Sequence, residues 1–516
     1  MKKKISVVGI ICLVMIGLSG LLLAVESGAE NSSIKTYGDA LWYMIVTLTT
    51  VGYGDLYPVT MAGKIIGVLF ILSSMGMLGA ILATMITVFN SGIIPIFLLK
   101  IYRNEPWFVF SELNEKTKCL LQDMKQNNKG LFICLGDKSE GDVEGVITLN
   151  YSFEKIIRLK KDKSRLSLFF MKDCENDYEN YSDYQEACGS YISDNVLPFN
   201  CYCLTEYVPE TIPVNLVCFN KYENISRLYW NTYPVRTDLA HDEKIVILGM
   251  GKHGSYILER ALERNVVKTK QTFEYHLFGD WESFRLMHYR LKDYFAVDKK
   301  SDCRDMLFFH EGSWTESREV LENADRIILC DDDEKNNFLV LSRIRKYFVL
   351  KNPKVKVHVL FSGKIHDTAI ETFGTSKEVY SEEYVLKKKL CRTAMDMHSV
   401  YQIENKGACE WNQLSEFKRQ SNLAVADHIG IKLKLVGASS VGDAYYKYKE
   451  LSDEEKLKFW HIEHDRWMRF HIVNNWSYAD TRNDAHREHN LIVPFDDLPY
   501  EEQKKDAYSW ELMAKM

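Results

Sequence analysis

Two kinds of hydrophobic pattern divide the chain. From Ile5 to Val25, "ISVVGIICLVMIGLSGLLLAV" runs about 21 residues without a charge, a length that crosses a bilayer as a helix. "AGKIIGVLFILSSMGMLGAILATMITVFN", Ala62 to Asn90, is a second such run, with Lys64 alone near one end. Between them "YGDALWYMIVTLTT" is amphipathic and apolar enough to enter a membrane but too short to span it. It reads as a half-helix that dips in and returns as the extended "TVGYGD". Irregular backbone at membrane depth is tolerated only where it is buried in protein or lines a water-filled path, so this segment must line something. Beyond Trp107 the pattern changes to short apolar runs alternating with charged, amphipathic stretches.

Those short runs form two series. The first is "LFICL" (131–135), "RLSLFFM" (165–171) and "VNLVCF" (214–219). The second is "KIVILG" (244–249), "YHLFG" (275–279), "MLFFH" (306–310), "RIILC" (326–330) and "KVHVLF" (356–361). Helical stretches between them predict parallel sheets with crossover helices, hence two α/β domains in tandem. The expected organisation is a helical pore domain at 1–100, α/β domains at 107–236 and 240–400, and a small helical domain at 450–516. Several domains also suit a chain of 516 residues, since single cores seldom exceed roughly 250–300 residues.

Charge orients the first part. Lys2 to Lys4 flank one end of the apolar pair and Lys100 and Arg103 the other, so the positive-inside rule puts both termini in the cytoplasm and 26–61 outside, in a multi-pass cell-membrane protein. The same lysines would suit the n-region of a signal peptide; the length of the run and the second span favour an anchor. Glycines 63, 67, 76 and 79 in the second span mean close helix packing, with Gly76 or Gly79 open as a gating hinge. Gly92 and Pro95 in "NSGIIP" are expected to end the span.

The segment 47–58 carries a family resemblance. "TTVGYGD" after a pore helix bearing Trp42 and Tyr43 resembles the selectivity filter of two-helix potassium channels. What the resemblance implies is K⁺ held by the carbonyls of Thr50, Val51, Gly52 and Tyr53 and the hydroxyl of Thr50. Gly52 and Gly54 would supply left-handed backbone angles, Trp42 and Tyr43 would pack around the filter, and Asp55 would hold its mouth. It also implies a homotetramer in a lipid bilayer, because four copies close the ring.

A second motif opens the second α/β series. "IVILGMGKHGSYILERAL" places Gly249, Gly251 and Gly254 between a strand and a helix, where a G-x-G-x-x-G turn lets a phosphate approach the helix N-terminus. "ADRIILCDDDEKNNFLV", with Asp331 after its strand, resembles the fourth-strand region of the RCK (TrkA-N-like) gating domains of potassium channels. That implies a Rossmann fold over about 240–400 and NAD(H) or another nucleotide as cofactor. Asp280 is the acidic residue at the end of the second strand, but it follows Gly254 by some 26 positions instead of about 20. A retained turn without nucleotide stays open beside the binding reading. The first series has only "CLGD" and reads as a degenerate Rossmann unit with a structural role.

Residues 463–506, "EHDRWMRFHIVNNWSYADTRNDAHREHNLIVPFDDLPYEEQKKD", resemble the ryanodine-receptor repeat (RyR) domain. His464, Trp467, Trp476, Tyr478, Leu491, Val493, Pro494, Phe495, Asp496, Leu498, Glu502 and Asp506 match its pattern; Asn490 and Phe495 stand where the family has Pro and Tyr. The resemblance implies a small nucleotide-derived ligand, with Arg466, Arg482 and Arg487 toward phosphate and Trp467, Trp476 or Tyr478 stacking on a base. Against it stands an ordinary aromatic core with solvated arginines. His461 with His464, or His486 with His489, read as packed or exposed histidines before they read as metal ligands.

Composition narrows the classes. A net charge of −6 gives no support for a partner that is a nucleic-acid polymer. The 12 cysteines include no CxxC pair and sit mostly in apolar runs, as suits buried thiols in a reducing compartment; "CYC" at 201–203 reads as a buried strand. The leading expectation is a ligand-gated K⁺ channel, not an enzyme. A membrane-tethered NAD-dependent oxidoreductase and an interaction scaffold are the alternatives, and the first lacks an evident catalytic acid, base or nucleophile beside its glycine loop. By analogy alone, filter plus sensor-like modules suggests an effector that dissipates the K⁺ gradient in stress or phage defence.

Overall fold

The computed structural model describes residues 2–73, 93–136, 143–173, 178–346, 355–363, 365 and 367–515. The chain forms two compact units, 1–103 and 104–516.

In the first unit Lys2–Glu26 is one helix of 25 residues. Tyr37–Leu48 is a second, and residues 61–73 are helical as far as they are described. Leu22, Ile34, Ala40, Met44, Ile66 and Phe70 form a shared apolar core. A Cβ on Gly63 would lie 2.0 Å from Glu26 Oε1, and one on Gly67 2.7 Å from the Tyr43 hydroxyl. Both glycines therefore serve close packing. The rest of the expected second span, with Gly76, Gly79 and Gly92, lies outside the described residues. Pro95, expected to help end the span, lies within the helix Ile93–Ile101 as far as that helix is described. Among the described residues no helix is long and apolar enough to cross a membrane; in Lys2–Glu26 the side chains are described from Val14 onward.

The second unit contains two parallel sheets. Strands β1 (Trp107–Phe110), β2 (Leu131–Leu135), β3 (Val146–Leu149), β4 (Leu166–Phe170), β5 (Val196–Leu204) and β6 (Val214–Phe219) are ordered β3-β2-β1-β4-β5-β6. Strands β7 (Lys244–Leu248), β8 (Glu274–Phe278), β9 (Ala296–Val297), β10 (Met306–His310), β11 (Arg326–Leu329), β12 (Lys356–Leu360) and β13 (Ile370–Phe373) are ordered β13-β12-β11-β7-β8-β10-β9. Both are doubly wound, with the strand order reversing beside β1 and beside β7. The first is the 3-2-1-4-5-6 order of dinucleotide-binding folds, and in such sheets ligands bind beyond the strand ends at the reversal.

In the first sheet that position is closed by its own polar groups. Ser111 Oγ accepts from Met171 N at 2.9 Å, and Asn114 Nδ2 donates to Met171 O at 2.7 Å. Asn114 also caps the helix Glu115–Asn127. No glycine follows β1, so the backbone has no bare face for a phosphate.

Helical packing begins upstream of residue 450. Lys389–Glu404, Glu416–Leu435, Val441–Glu450 and Tyr508–Met513 share a core that includes Met397, Leu423, Ala444, Tyr448 and Trp510. The helix Asp453–Val473 runs from this module onto the second sheet's helix Lys252–Arg264. Arg469 Nη1 is bonded to the buried Asp305, and Asn474 Nδ2 donates to Glu263 Oε1 at 3.1 Å.

Candidate functional site

Three places carry chemistry. The first is 47–55. The helix Tyr37–Leu48 starts on a capping box: Thr36 Oγ1 accepts from Asp39 N at 3.2 Å and Asp39 Oδ2 accepts from Thr36 N at 2.8 Å. This satisfies N–H groups that would otherwise be orphaned. Beyond the helix Thr50 (φ 59°), Gly52 (59°) and Gly54 (72°) are left-handed, and Val51 and Tyr53 between them are not. Alternation of this kind turns successive N–H groups to one side of the chain, which leaves successive carbonyls on the other. A β-branched Thr in this region is strained, a feature that clusters at functional sites. Trp42 Nε1 donates to Asp55 Oδ2 at 2.9 Å, and its ring stacks with Tyr53 at 6.1 Å and 3°. Tyr43 faces the other way, onto Phe70. Val51 and Tyr53 are 54% and 68% exposed in the single chain.

Glu26 completes this unit and was not legible in the sequence. It is fully buried, and it accepts from Ser32 Oγ (2.9 Å), Val59 N (3.0 Å), Thr60 N (2.9 Å) and Thr60 Oγ1 (2.6 Å). One carboxylate thus ties the end of the first helix to the start of the helix at 61–73. The only sequence signal is a lone acid closing an apolar run.

The second place is the reversal in the second sheet. Gly249 N and Met250 N donate to Phe278 O at 3.0 and 3.1 Å, and Gly249 has φ 103°. A Cβ on Gly249 would lie 2.4 Å from Asp331 N, one on Gly251 2.4 Å from Asp332 Oδ2, and one on Gly254 2.2 Å from Gly249 O. The three glycines and Asp331 therefore meet. Asp331 Oδ1 accepts from Asp333 N at 2.9 Å and shapes its own loop. Asp280 is exposed beyond Gly279. The helix Lys252–Arg264 has Gly251 as its N-cap and so no capping side chain. Asp332 does this work from the neighbouring strand end: Oδ2 accepts from Lys252 N at 2.9 Å, and Oδ1 from His253 N at 3.1 Å and from His253 Nδ1 at 2.7 Å. Partial burial opposes the charge, yet these donors hold Asp332 down at about 2.

The third place is a cavity of about 360 Å³ in the helical module. Arg466 and Trp467 line it, with His464, His489, Ser421 and Asn422 among the other walls. Arg466 is 2% exposed; its Nε and Nη2 bind Glu463 Oε1 at 2.9 and 2.8 Å, and its Nη1 has no hydrogen-bond partner among the described residues. Glu463 is bonded on its other side to Lys432 at 2.7 Å. His464 gives Nε2 to Val493 O at 2.8 Å. Burial keeps His471, which packs on Trp467, neutral down to about 3.

The remaining sequence candidates lie elsewhere. Trp476 is buried and stacks on Phe417 at 5.0 Å. Tyr478 is exposed with its hydroxyl on Asp480, Arg482 pairs with Asp484, and Arg487 reaches Asn474 O. None of these lines the cavity. Trp476 packs instead against Phe417 and His471, and Tyr478 and Arg482 find their partners, Asp480 and Asp484, within their own loop. Cys201 and Cys203 are buried in β5. Among the described residues no group of three or more His, Cys, Asp or Glu side chains is placed to hold a metal ion.

Known proteins resemble the chain mainly at its start. Residues 9–91 match a family model described as an ion channel (Ion_trans_2). A voltage-gated potassium channel of Aeropyrum pernix is 46% identical over 66 residues, which is 13% of this chain and 22% of that protein. The calcium-gated potassium channel TvoK of Thermoplasma volcanium is 40% identical over 74 residues, 14% of this chain and 21% of that protein. The chain thus spans about a fifth of the length of these two relatives. Among solved structures, the GsuK channel bound to ADP is similar with a TM-score of 0.39 and 13% identity, covering 75% of this chain and 100% of that one. The GsuK channel bound to NAD gives 0.38 and 11%, covering 75% and 85%. Residues 9–91 are thus similar to an ion-channel domain, and both of these curated relatives are potassium channels.

Proposed function

We propose that this protein is a K⁺-selective channel whose opening is set by a small nucleotide-type ligand held in its cytosolic unit. The observation that carries this reading is the stretch 50–54, where left-handed residues alternate with ordinary ones behind a capped helix. Carbonyls of Thr50, Val51, Gly52 and Tyr53 then replace the hydration shell of K⁺. One chain supplies one wall. The exposed Val51 and Tyr53 fit a ring of four copies, in which each wall is covered by its neighbours.

The ligand is assigned to the cavity at Arg466 and Trp467. A buried guanidinium N–H without a partner is costly, and an acceptor on a ligand would satisfy it. The lining carries Glu463, Glu502 and Asp506 beside Arg466 and Lys505, and Lys432 pairs with Glu463 from behind, so the site suits a ligand of modest charge. The helix that bears Arg466 also carries Arg469, which is fixed to Asp305 in the second sheet. Occupancy of the cavity can thus bias the α/β units, and through them the pore, by as much as the ligand's affinity differs between the two states. In this reading the Rossmann-type units are regulators.

The test is ion flux from liposomes containing the purified protein. K⁺ should pass and Na⁺ should not; Gly52→Asp should abolish the flux. NAD(H), ADP-ribose, cyclic nucleotides and oligonucleotides, added in turn, should include one that changes the rate, and Arg466→Met should remove that response while sparing selectivity. Equal K⁺ and Na⁺ flux would overturn the channel assignment; selective flux that ignores every nucleotide would overturn the sensor assignment.

A further inference from the structure

The glycine loop at 249–254 has the turn of a nucleotide site and the wrong occupant. In a dinucleotide fold the bare face of the second glycine and the first N–H groups of the helix are kept for a pyrophosphate. Here the Asp332 carboxylate takes both. Its Oδ2 sits 2.4 Å from where a Cβ on Gly251 would be, and the N–H groups of Lys252 and His253 donate to it. The basic side chains at the mouth are engaged as well: His253 Nδ1 lies 2.7 Å from Asp332 Oδ1, and Lys252 Nζ lies 2.6 Å from Glu206 Oε1. The Tyr222 ring packs edge-on against His253 at 4.6 Å and holds it in place.

We infer that Asp332 is an internal substitute for a phosphate group, so that the Gly249–Gly254 loop is a latent nucleotide site held shut by its own chain. An incoming diphosphate meets two carboxylates, Asp332 and Glu206, where a working site presents N–H groups and cations. The loop can admit a phosphate only when Asp332 leaves. Because Asp332 lies between β11 and the helix Glu334–Ile344, its departure also moves the start of that helix. The inference concerns the loop alone and does not depend on ion conduction or on the cavity at Arg466.

The experiment measures NADH binding by fluorescence, with ADP as competitor, on the full-length protein in detergent micelles. Wild type should show no binding that depends on Gly251. Asp332→Ser, which removes the carboxylate, should bind NADH roughly tenfold or more tighter than wild type. Asp332→Asn keeps the shape and one acceptor, so it guards against misfolding; it should gain in the same direction by less. The double variant Asp332→Ser with Gly251→Val should lose the gain. It should fold, because Gly251 sits in extended backbone with a negative φ (−72°) and its close neighbour, the Asp332 carboxylate, is gone. NADH binding in the cavity at Arg466 would be untouched by Gly251→Val and is thereby told apart. Wild-type binding that Gly251→Val removes would overturn the inference. So would folded Asp332 variants that bind no tighter than wild type, or a gain that survives Gly251→Val.

Discussion

Glu26 and Asp332 are single carboxylates that each join segments far apart in the chain. Glu26 gathers four donors, two of them backbone N–H groups at the start of the helix at 61–73. Glutamine keeps one carbonyl oxygen but turns the other position into a donor facing donors. Glu26→Gln should therefore destabilise the first unit by about 2–4 kcal/mol, from one buried unmet donor and the weakened charge-assisted bonds. The measurement is the temperature at which the protein unfolds in detergent; an unchanged temperature would show that the network is not needed. The glycines beside these acids were legible, because a turn demands them within a few residues. The acids were not. Asp332 meets Lys252 across 80 positions and Glu26 meets Val59 across 33, and nothing local marks either one as a partner. Arg466 and Trp467 were legible as candidates, but only packing separates them from Trp476, which turns into the core against Phe417.

The strands read from the sequence are those with continuous apolar runs, such as Lys244–Leu248 and Arg326–Leu329, buried on both faces as parallel strands are. Trp107–Phe110, Val146–Leu149, Ala296–Val297 and Ile370–Phe373 went unread: the last three are short edge strands only half covered, and the first, though central and buried, is four residues long. Also hidden were the charged pairs that join one helix to another. Arg227 in the helix Lys221–Thr232 holds Asp427 in the helix Glu416–Leu435 through two bonds, Nε to Oδ2 and Nη2 to Oδ1, both 2.8 Å. The side chains are 1% and 6% exposed. Polar positions of this kind look like a solvated face in the sequence. Asp427→Ala leaves the guanidinium buried and unpaired and should cost about 3–5 kcal/mol. Replacing both partners, Arg227→Met with Asp427→Leu, should cost less than that single change. Urea unfolding of the purified protein measures both; if the double change costs as much as the single one, lost packing and not an unpaired charge is responsible.

Across the second unit, burial sets how stability depends on pH. It holds His276 down at about 4 and His471 at about 3, and it lowers His288, His358 and His428 as well. Each stays neutral when folded but takes a proton near pH 6.5 when unfolded. The unfolded chain thus binds more protons as pH falls, so each histidine's contribution is complete above pH 6.5 and declines below it. The slope is about 1.4 kcal/mol per pH unit per group, until the folded pKa is reached. Glu263 acts in the opposite sense: burial, against the pull of Arg260, raises it to about 7, so between about pH 4 and 7 its term improves on acidification and offsets one histidine. Burial raises Glu259, Glu416, Asp465 and Asp506 as well, and lowers His310 and His489. Among the described residues, seven lowered histidines, which start to titrate near pH 6.5, against five raised acids, which start from ordinary values of about 4, leave a net loss between pH 7 and 5. The unfolding temperature of the second unit should fall steadily from pH 7 to pH 5, followed by calorimetry on the full chain in detergent. His471→Phe should flatten the slope by about one proton. A temperature that rises on acidification would mean that the raised acids, Glu263 first among them, outweigh the buried histidines, and would overturn this account.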